Sequence, residues 1–232
     1  MGMLELGAPF GIIPELAELC DIHSFVETGT LFGGTAKLAA HYFEKVYTIE
    51  KADGLYRKYS PGLREAGNIE PLLGDSKVML PHVIELLEGS PAVFWLDGHW
   101  SGGETAGVED ECPVLSEIAA LEGRHDDIVL IDNARLFLSA PPAPHDPAQW
   151  PSMMEIANLL NRRSTPPYVQ VIDDVIFIVP ARERLKTCLI EYGRLRSAAL
   201  WKAFEKGRPR RTLKNVVEKL VRRPHRKVPR RH

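Results

Sequence analysis

Apolar runs of strand length alternate with amphipathic stretches over residues 25–133. The apolar runs have the composition of buried strands, and they begin at Phe25, Lys45, Ile69, Ala92 and Asp127. Between them, apolar residues recur at helical spacing over residues 36–42, 53–66, 77–88 and 109–122. Strands that alternate with helices are typical of a parallel sheet with helices on both faces.

The rhythm changes after residue 139. A proline-rich stretch over residues 140–151 precedes a predicted helix that ends near Arg163. The sequence YVQVIDDVIFIVP over residues 168–180 then predicts two strands joined by a tight turn at Asp173 and Asp174. The predicted fold class is therefore α/β: a Rossmann-like, doubly wound sheet of seven mostly parallel strands that ends in a C-terminal antiparallel hairpin.

The first predicted strand runs into a glycine-rich turn, FVETGTLFGGT, over residues 25–35. A turn that joins the first strand of a doubly wound sheet to its helix is typical of a site for a nucleotide-like cofactor. The sequence lacks the G-x-G-x-x-G and G-x-x-x-x-G-K-[ST] patterns that bind the phosphates of dinucleotides and nucleoside triphosphates. Gly29 and Gly34 have the spacing of the second pattern, but Thr35 stands in the place of its lysine.

Two carboxylates narrow the choice of cofactor. Glu27 is expected at the mouth of the turn, where its charge would repel a pyrophosphate and attract an ammonium or sulfonium group. Glu50 ends the second predicted strand, the position from which an acidic residue accepts hydrogen bonds from ribose hydroxyls. S-adenosylmethionine carries a sulfonium, an ammonium and a ribose without any phosphate, so it is the predicted cofactor.

At these motifs the sequence resembles the class I S-adenosylmethionine-dependent methyltransferases, over roughly residues 20–180. Within them, VETGTLFGGT looks like the opening motif of the macrocin O-methyltransferase group, which methylates sugar hydroxyls. The resemblance implies that residues 27–30 surround the methionine part of the cofactor, that Glu50 binds the ribose, and that LLGDS at residues 72–76 meets the adenine. The predicted cofactor site comprises Glu27, Thr28, Gly29, Thr30, Gly33, Glu50, Asp75 and Ser76.

Candidate reacting groups follow the fourth and fifth predicted strands, in the segments WLDGHW and LIDNAR. Ligands of doubly wound sheets lie over the carboxyl ends of the strands, so Asp97, His99, Asp132 and Asn133 are expected to converge there. His99, beside Asp97, is suited to act as the general base that takes the proton of an acceptor hydroxyl. The alternative is a structural histidine that donates to a neighbouring carbonyl.

Three of these residues also offer oxygen ligands to a metal ion. Asp97, Asp132 and Asn133 would present two carboxylates and an amide, a set that suits Mg²⁺. The sugar methyltransferases that the sequence resembles hold magnesium with aspartates in corresponding motifs, including an adjacent pair whose second member is Asn133 here. Mg²⁺ is therefore a second cofactor hypothesis, beside a metal-free reaction.

Composition is that of a globular protein with one core: 232 residues, of which 44% are hydrophobic and 26% charged. No apolar run is long enough to cross a membrane, and the first residues lack the basic start and continuous apolar stretch of a secretory signal. The three cysteines are widely spaced and match neither a disulfide framework nor a zinc pattern. These features predict a cytoplasmic protein.

The net charge of −2 conceals two opposite parts of the chain. Residues 182–232 contain 18 Lys and Arg against 4 Asp and Glu, whereas residues 1–181 contain 11 against 27. The change of sign predicts two units: an S-adenosylmethionine-binding catalytic domain over residues 1–181, and a basic helical extension over residues 182–232.

The basic extension has its own apolar pattern, with apolar residues at helical spacing between positions 212 and 221. Three interpretations compete for it: a peripheral contact with an anionic membrane through residues 208–231, docking on the acidic body, and contact with nucleic acid. Residues 208–232 contain no Phe, Tyr or Trp side chain that could stack on bases. Nucleic acid is therefore the weakest of the three.

Together these features predict methyl transfer from S-adenosylmethionine to an oxygen of a small molecule or glycan, a sugar hydroxyl first. Two alternatives remain: a catalytically divergent relative that only binds the nucleoside, and a nucleic-acid methyltransferase positioned by the basic extension. An N-P-P-Y type motif after the fourth strand would indicate methylation of base amino groups, but the sequence there reads LDGHW.

Overall fold

The computed structural model describes residues 7–207. The strands are β1 (Ser24–Thr28), β2 (Lys45–Glu50), β3 (Ile69–Leu73), β4 (Ala92–Leu96), β5 (Ile128–Ile131), β6 (Tyr168–Ile172) and β7 (Val175–Val179). The helices are α1 (Ile13–Cys20), α2 (Gly34–Ala39), α3 (Asp53–Arg64), α4 (Ser76–Leu86), α5 (Val114–Ala120), α6 (Ala134–Leu138), α7 (Met153–Asn161) and α8 (Glu183–Gly207). Across residues 7–207, no helix is both long and apolar enough to cross a bilayer.

All seven strands form one sheet in the order β3-β2-β1-β4-β5-β7-β6. The neighbouring pairs from β3 to β5 are parallel, whereas β7 pairs antiparallel with both β5 and β6. The predicted Rossmann-like sheet with a C-terminal antiparallel hairpin is therefore confirmed. The strand order reverses between β1 and β4, and ligands of such sheets bind at this switch point.

The predicted helices on both faces of the sheet are also confirmed, with one apolar core on each face. Successive residues of a strand point to opposite faces, so Phe25 and Trp95 lie in one core while Val26 and Phe94 lie in the other. Helices α1, α2, α3 and α8 contribute to the first core, and α4, α5, α6 and α7 to the second. Burial on both faces explains why the strand sequences are nearly continuous apolar runs.

Helix α5 is shorter than its amphipathic pattern predicts. The pattern covers residues 109–122, but the helix begins at Val114. Pro113 has no N–H to donate and disfavours a helical conformation at Cys112, so the chain before it stays in a loop. We call residues 98–113 the β4–α5 loop. It follows the carboxyl end of β4.

Helix α8 has 25 residues and changes environment along its length. Leu185 and Leu189, near its start, are buried in the core shared with α1. From residue 197 to residue 206 every side chain is exposed except that of Leu200, which is half-buried. The predicted division of the chain after residue 181 stays a prediction, and the predicted amphipathic helix between positions 212 and 221 lies outside the described residues.

Candidate active site

The turn between β1 and α2 passes so close to β4 that Gly29 has no room for a side chain. Its φ is +84°, and a Cβ atom there would lie 2.4 Å from the carbonyl oxygen of Asp97. Gly33 has a φ of +73°, and its Cβ would lie 2.6 Å from a methyl group of Leu63. Only glycine allows the backbone to follow this path without displacing its neighbours.

A cleft of about 630 Å³ opens beyond this turn, at the carboxyl edge of the sheet. Five of the eight predicted cofactor residues line it: Gly29, Thr30, Glu50, Asp75 and Ser76. All four predicted reacting or metal-binding residues line it as well: Asp97, His99, Asp132 and Asn133. The two predicted groups therefore meet in one cleft.

Glu50 is held by the backbone at the end of β2. Its Oε2 accepts a hydrogen bond from the N–H of Leu31 at 2.9 Å, and its Oε1 accepts one from the N–H of Ala52 at 2.7 Å. Leu31 has a left-handed φ of +48°, so the turn bends sharply at the residue that donates this hydrogen bond. Each carboxylate oxygen has a further lone pair, so Glu50 can also accept hydrogen bonds from two neighbouring hydroxyls.

The carboxyl group of Glu27 lies beneath the turn. The sequence had predicted that it would lie at the mouth of the turn. Glu27 is 1% exposed and does not line the cleft, and its strand β1 pairs with β2 and β4 along its whole length. The hydroxyl of Thr48 donates to its Oε1 at 2.6 Å. Burial raises the pKa of Glu27 to about 8, so the group is mostly uncharged at neutral pH. Its direct contact with a cofactor stays a prediction.

Gly33 and Thr28 likewise shape the cleft without lining it. Thr28 is fully buried, and its Oγ1 accepts a hydrogen bond from the N–H of Asp97 at 3.2 Å. Below it lies Glu117, a buried residue of α5 whose carboxyl group interacts with the hydroxyls of Thr28 and Ser76. Burial raises the pKa of Glu117 to about 7.

Glu117 is a residue that sequence reasoning missed. Val114, Glu117, Ile118 and Leu121 are all buried and follow one another at i, i+3, i+4 and i+7. A carboxyl in the apolar stripe of a helix is unusual, because an unpaired charge is costly to bury. That position in the stripe was the signal that could have identified Glu117.

Asp75 caps α4 at the far side of the cleft. Its Oδ1 accepts a hydrogen bond from the backbone N–H of Lys77 at 2.9 Å, and Nζ of Lys51 lies 2.7 Å from its Oδ2. Burial by itself would raise the pKa of Asp75, but these hydrogen bonds and the two lysine charges hold it below its ordinary value. Asp75 is therefore charged at neutral pH, next to Ser76, the first residue of α4.

Asp97 and Asp132 form a pair of interacting carboxyl groups at the ends of β4 and β5. Burial and the charge of Asp132 raise the pKa of Asp97 well above its ordinary value. Burial also raises the pKa of Asp132, against the hydrogen bond from Asn133 and the charge of Arg135. Because two adjacent carboxyl groups do not readily both ionise, the pair retains a proton to higher pH than a single aspartate.

His99 lies beside this pair, with both ring nitrogens near polar partners. Its Nε2 is 2.9 Å from Nδ2 of Asn133, and its Nδ1 is 3.5 Å from Oδ1 of Asp97. Burial lowers the pKa of His99 to about 4, and the charges of His145 and Arg135 act in the same direction. The imidazole is therefore neutral at physiological pH. Its role as a general base would require Nε2 to exchange Asn133 for the acceptor, and stays a prediction.

Glu111 joins two loops behind His99, and sequence reasoning did not single it out. Its Oε2 accepts hydrogen bonds from Nε1 of Trp150 at 2.7 Å and from Nδ1 of His145 at 2.9 Å. The ring of Trp150 packs edge-on against His99, with 5.4 Å between the ring centroids. Glu111 thus ties the β4–α5 loop to the proline-rich stretch and fixes the ring that backs His99.

No known protein family and no curated protein matches the sequence. The fold resembles that of several solved structures. One is the O-methyltransferase TomG of Streptomyces achromogenes, which is involved in tomaymycin synthesis and was solved with S-adenosylmethionine. It is 19% identical over 77% of this chain and 82% of that chain, with a TM-score of 0.53. Another is a proposed caffeoyl-CoA O-methyltransferase of Staphylococcus aureus. It is 13% identical over 77% of this chain and 86% of that chain, with a TM-score of 0.52.

A third is a proposed O-methyltransferase of Klebsiella pneumoniae, at 14% identity over 76% of this chain and 82% of that chain, with a TM-score of 0.51. These likenesses establish that the chain has the Rossmann-like fold of methyltransferases. The narrower resemblance to the macrocin O-methyltransferase group is not confirmed by them.

Proposed function

We propose that the chain is an S-adenosylmethionine-dependent methyltransferase that acts on a hydroxyl oxygen. The observation that carries the proposal is the meeting of Glu50 and the Asp97–Asp132 pair in one cleft. Glu50 provides the charged acceptor that a ribose needs, and the aspartate pair provides a group that can take a proton. The fold shared with TomG, which was solved with S-adenosylmethionine, supports the same proposal.

The cleft suits a nucleoside whose reactive end carries no phosphate. Gly29 lets the turn lie against the backbone of Asp97, where a Cβ would clash, and the N–H of Leu31 already donates to Glu50. Glu50 would hold the ribose hydroxyls, and Asp75 with Ser76 would meet the adenine. When bound, S-adenosylmethionine supplies an electrophilic methyl group on a positively charged sulfur.

The remaining task of the chain is to take the proton of the acceptor hydroxyl. We assign it to the Asp97–Asp132 pair, because a carboxylate whose pKa is raised is a better base than an ordinary one. Neutral His99 faces Asp97 through Nδ1 and Asn133 through Nε2, so it positions both. The sugar hydroxyl is the acceptor that we favour, since the opening motif resembles that of sugar methyltransferases.

We propose Mg²⁺ only as an additional component of this site. Among residues 7–207 there is no group of three or more His, Cys, Asp or Glu side chains that could hold a metal ion. Asp97, Asp132 and Asn133 nevertheless offer two carboxylates and an amide, and a divalent cation would relieve the repulsion between the aspartates. These three residues would hold the ion, which would lower the pKa of the acceptor hydroxyl.

A methyl-labelling experiment tests the proposal. The chain is incubated with S-adenosylmethionine labelled in its methyl group and with separated glycan and lipid fractions of cells. We expect label in a product that survives mild base, because a methyl ether is stable there whereas a methyl ester releases methanol. Asp132→Ala should lower incorporation by roughly 10²- to 10⁴-fold, the usual contribution of a general base. Asp53→Ala, on the exposed side of α3, is the matched control.

The outcomes separate the alternatives. Label released as methanol would mean a carboxyl acceptor, and binding without any incorporation would indicate a divergent relative that only binds the nucleoside. Loss of incorporation with a chelator and its return with Mg²⁺ would support the metal. Full incorporation in chelator would eliminate Mg²⁺ and leave the aspartate pair as the base.

A further inference from the structure

Helix α8 rises along the sheet toward the edge at which the cleft opens. It begins after β7, at the opposite edge of the sheet, because β7 runs antiparallel to β5. At Arg196 it has reached the turn between β6 and β7, where Nε of Arg196 donates to Oδ2 of Asp173 at 2.5 Å. The next residue of that turn, Asp174, lines the cleft. Arg196 therefore lies level with the cleft.

The helix continues beyond this level. Residues 197–207, which we call the α8 arm, add about 16 Å at 1.5 Å per residue. Every side chain from residue 197 to residue 206 is exposed except that of Leu200. The arm therefore projects past the sheet on the side of the cleft mouth.

The chemistry of the α8 arm is unusual for an exposed helix. Trp201 is 62% exposed and Phe204 is 51% exposed, and their rings are in edge contact with centroids 5.6 Å apart. Lys202 and Lys206 lie next to them on the exposed arm, with Glu205 as its one acidic residue. Large aromatic rings flanked by lysines are typical of helices that lie in the interface of a bilayer, where the ring is buried and the ammonium meets the lipid phosphates.

We propose that the α8 arm docks on the surface of an anionic lipid bilayer and holds the mouth of the cleft toward it. Charge complementarity favours this occupant, because the arm belongs to the segment 182–232, with 18 Lys and Arg against 4 Asp and Glu. A second copy that paired through the same arm would bring two such basic segments together, whereas docking on the acidic residues 1–181 is the competing occupant that the vesicle test below distinguishes. Residues 208–232 of the same chain are also basic and would be repelled by the arm.

The orientation of the arm also indicates which methyl acceptors the cleft could meet. This step rests on the proposed function. A cleft that faces the membrane is within reach of hydroxyls on lipid head groups and lipid-linked glycans. Docking itself does not depend on methyl transfer, so it can be measured without an acceptor, and its failure would leave the proposed function standing.

Flotation with vesicles tests the docking. The full chain is mixed with vesicles of phosphatidylcholine alone or of phosphatidylcholine with phosphatidylglycerol. We expect binding to the anionic vesicles only, falling as salt is added. Trp201→Ser combined with Phe204→Ser should weaken that binding by about tenfold or more, because two aromatic rings no longer enter the interface. The matched control is Val78→Ser with Met154→Ser, two residues 70% and 66% exposed on α4 and α7, which should bind like the original chain.

Fluorescence gives a second readout. Trp201 emission should shift to shorter wavelength with anionic vesicles, and Trp201→Phe should bind but lose the shift. Equal binding to both kinds of vesicle, no binding, or undiminished binding of the Trp201→Ser, Phe204→Ser variant would overturn the proposal. A dimer in lipid-free solution that this variant converts to a monomer would also overturn it and assign the arm to a second copy.

Discussion

At the scale of single residues, Gly29 and Gly34 show how differently two glycines of one turn are used. A side chain at Gly29 would collide with the backbone of Asp97, which cannot move without shifting β4. Gly34 is the first residue of α2, and a Cβ there would have no atom within 4 Å. The first glycine is a geometric requirement of the cleft, whereas the second is replaceable.

We therefore expect Gly29→Ala to lower the free energy of unfolding by several kcal/mol and to abolish binding of S-adenosylhomocysteine, because strain and a backbone clash add. Gly34→Ala should be neutral or stabilise by up to about 1 kcal/mol, since alanine favours the helix. Thermal denaturation and calorimetric titration of both variants check this. Similar stability of the two variants would contradict the geometry described for Gly29.

Glu27 makes stability depend on pH between its ordinary pKa and its raised pKa in the folded chain. Its ordinary pKa of 4.5 is raised to about 8 in the folded chain, so folding favours the protonated form. Its contribution to stability is therefore fully present below pH 4.5 and is lost as the pH rises through 8. Glu27→Gln removes the titrating group, so the variant should lose less stability than the original chain between pH 6 and pH 9. Urea denaturation across that range measures how the free energy of unfolding changes with pH in each protein. The same change in both proteins would contradict the prediction.

At the residue level, the sequence was sufficient to place residues that follow the strands, because the carboxyl ends of parallel strands meet at one edge of the sheet. Glu50 and Asp132 were identified in this way, and both line the cleft. The sequence did not reveal how deeply Glu27 is buried, because the pairing of β1 with β2 and β4 is a property of the whole sheet. Glu117 was missed because its helix was predicted from its apolar residues alone.

At the scale of elements, the β4–α5 loop and the proline-rich stretch form the wall behind His99, and Glu111 joins them. Its carboxyl group is buried and accepts hydrogen bonds from Trp150, His145 and the N–H of Asp146. Removing it leaves the buried donor of Trp150 and the part-buried donors of His145 and Asp146 without this acceptor, and the cost in free energy is largest for the buried one.

Glu111→Ala is accordingly expected to lower the free energy of unfolding by about 2 to 4 kcal/mol and to loosen the support of His99. Glu109→Ala, an exposed residue two positions earlier, is the matched control and should change it by less than about 0.5 kcal/mol. Denaturation with a near-ultraviolet signal from Trp150 would show the loss directly. An unchanged Glu111→Ala stability would mean that the two loops are held by other contacts.

The order of elements was predictable because β-branched runs and helical spacing leave periodic signals. The sharp start of α5 could also have been read from Pro113, which ends the loop before it. The contact of Glu111 with Trp150 could not, since it joins positions 39 apart and depends on how two irregular loops fold over the sheet. Irregular segments have no periodic pattern, so this wall of the cleft could not be predicted from the sequence.

In the whole molecule, acidic and basic residues are concentrated in different parts of the chain. The acidic part, residues 1–181, carries the cleft, and the basic segment begins as a helix packed on the same sheet. The α8 arm and the cleft mouth point to the same side because α8 runs back toward the carboxyl edge of the sheet. A surface that binds the arm would therefore also meet the cleft.

We propose that the cleft binds the nucleoside of S-adenosylmethionine through Glu50. Calorimetric titration of the full chain with S-adenosylhomocysteine tests this binding, with NAD and ATP as comparison ligands. We expect one site for S-adenosylhomocysteine, none for NAD or ATP, and binding weakened by roughly 1 to 3 kcal/mol in Glu50→Gln, where the charged acceptor is lost. The exposed control Glu65→Gln should bind normally. Binding of NAD but not of S-adenosylhomocysteine, or an equal affinity for S-adenosylhomocysteine in Glu50→Gln, would show that Glu50 does not hold the ribose of this cofactor.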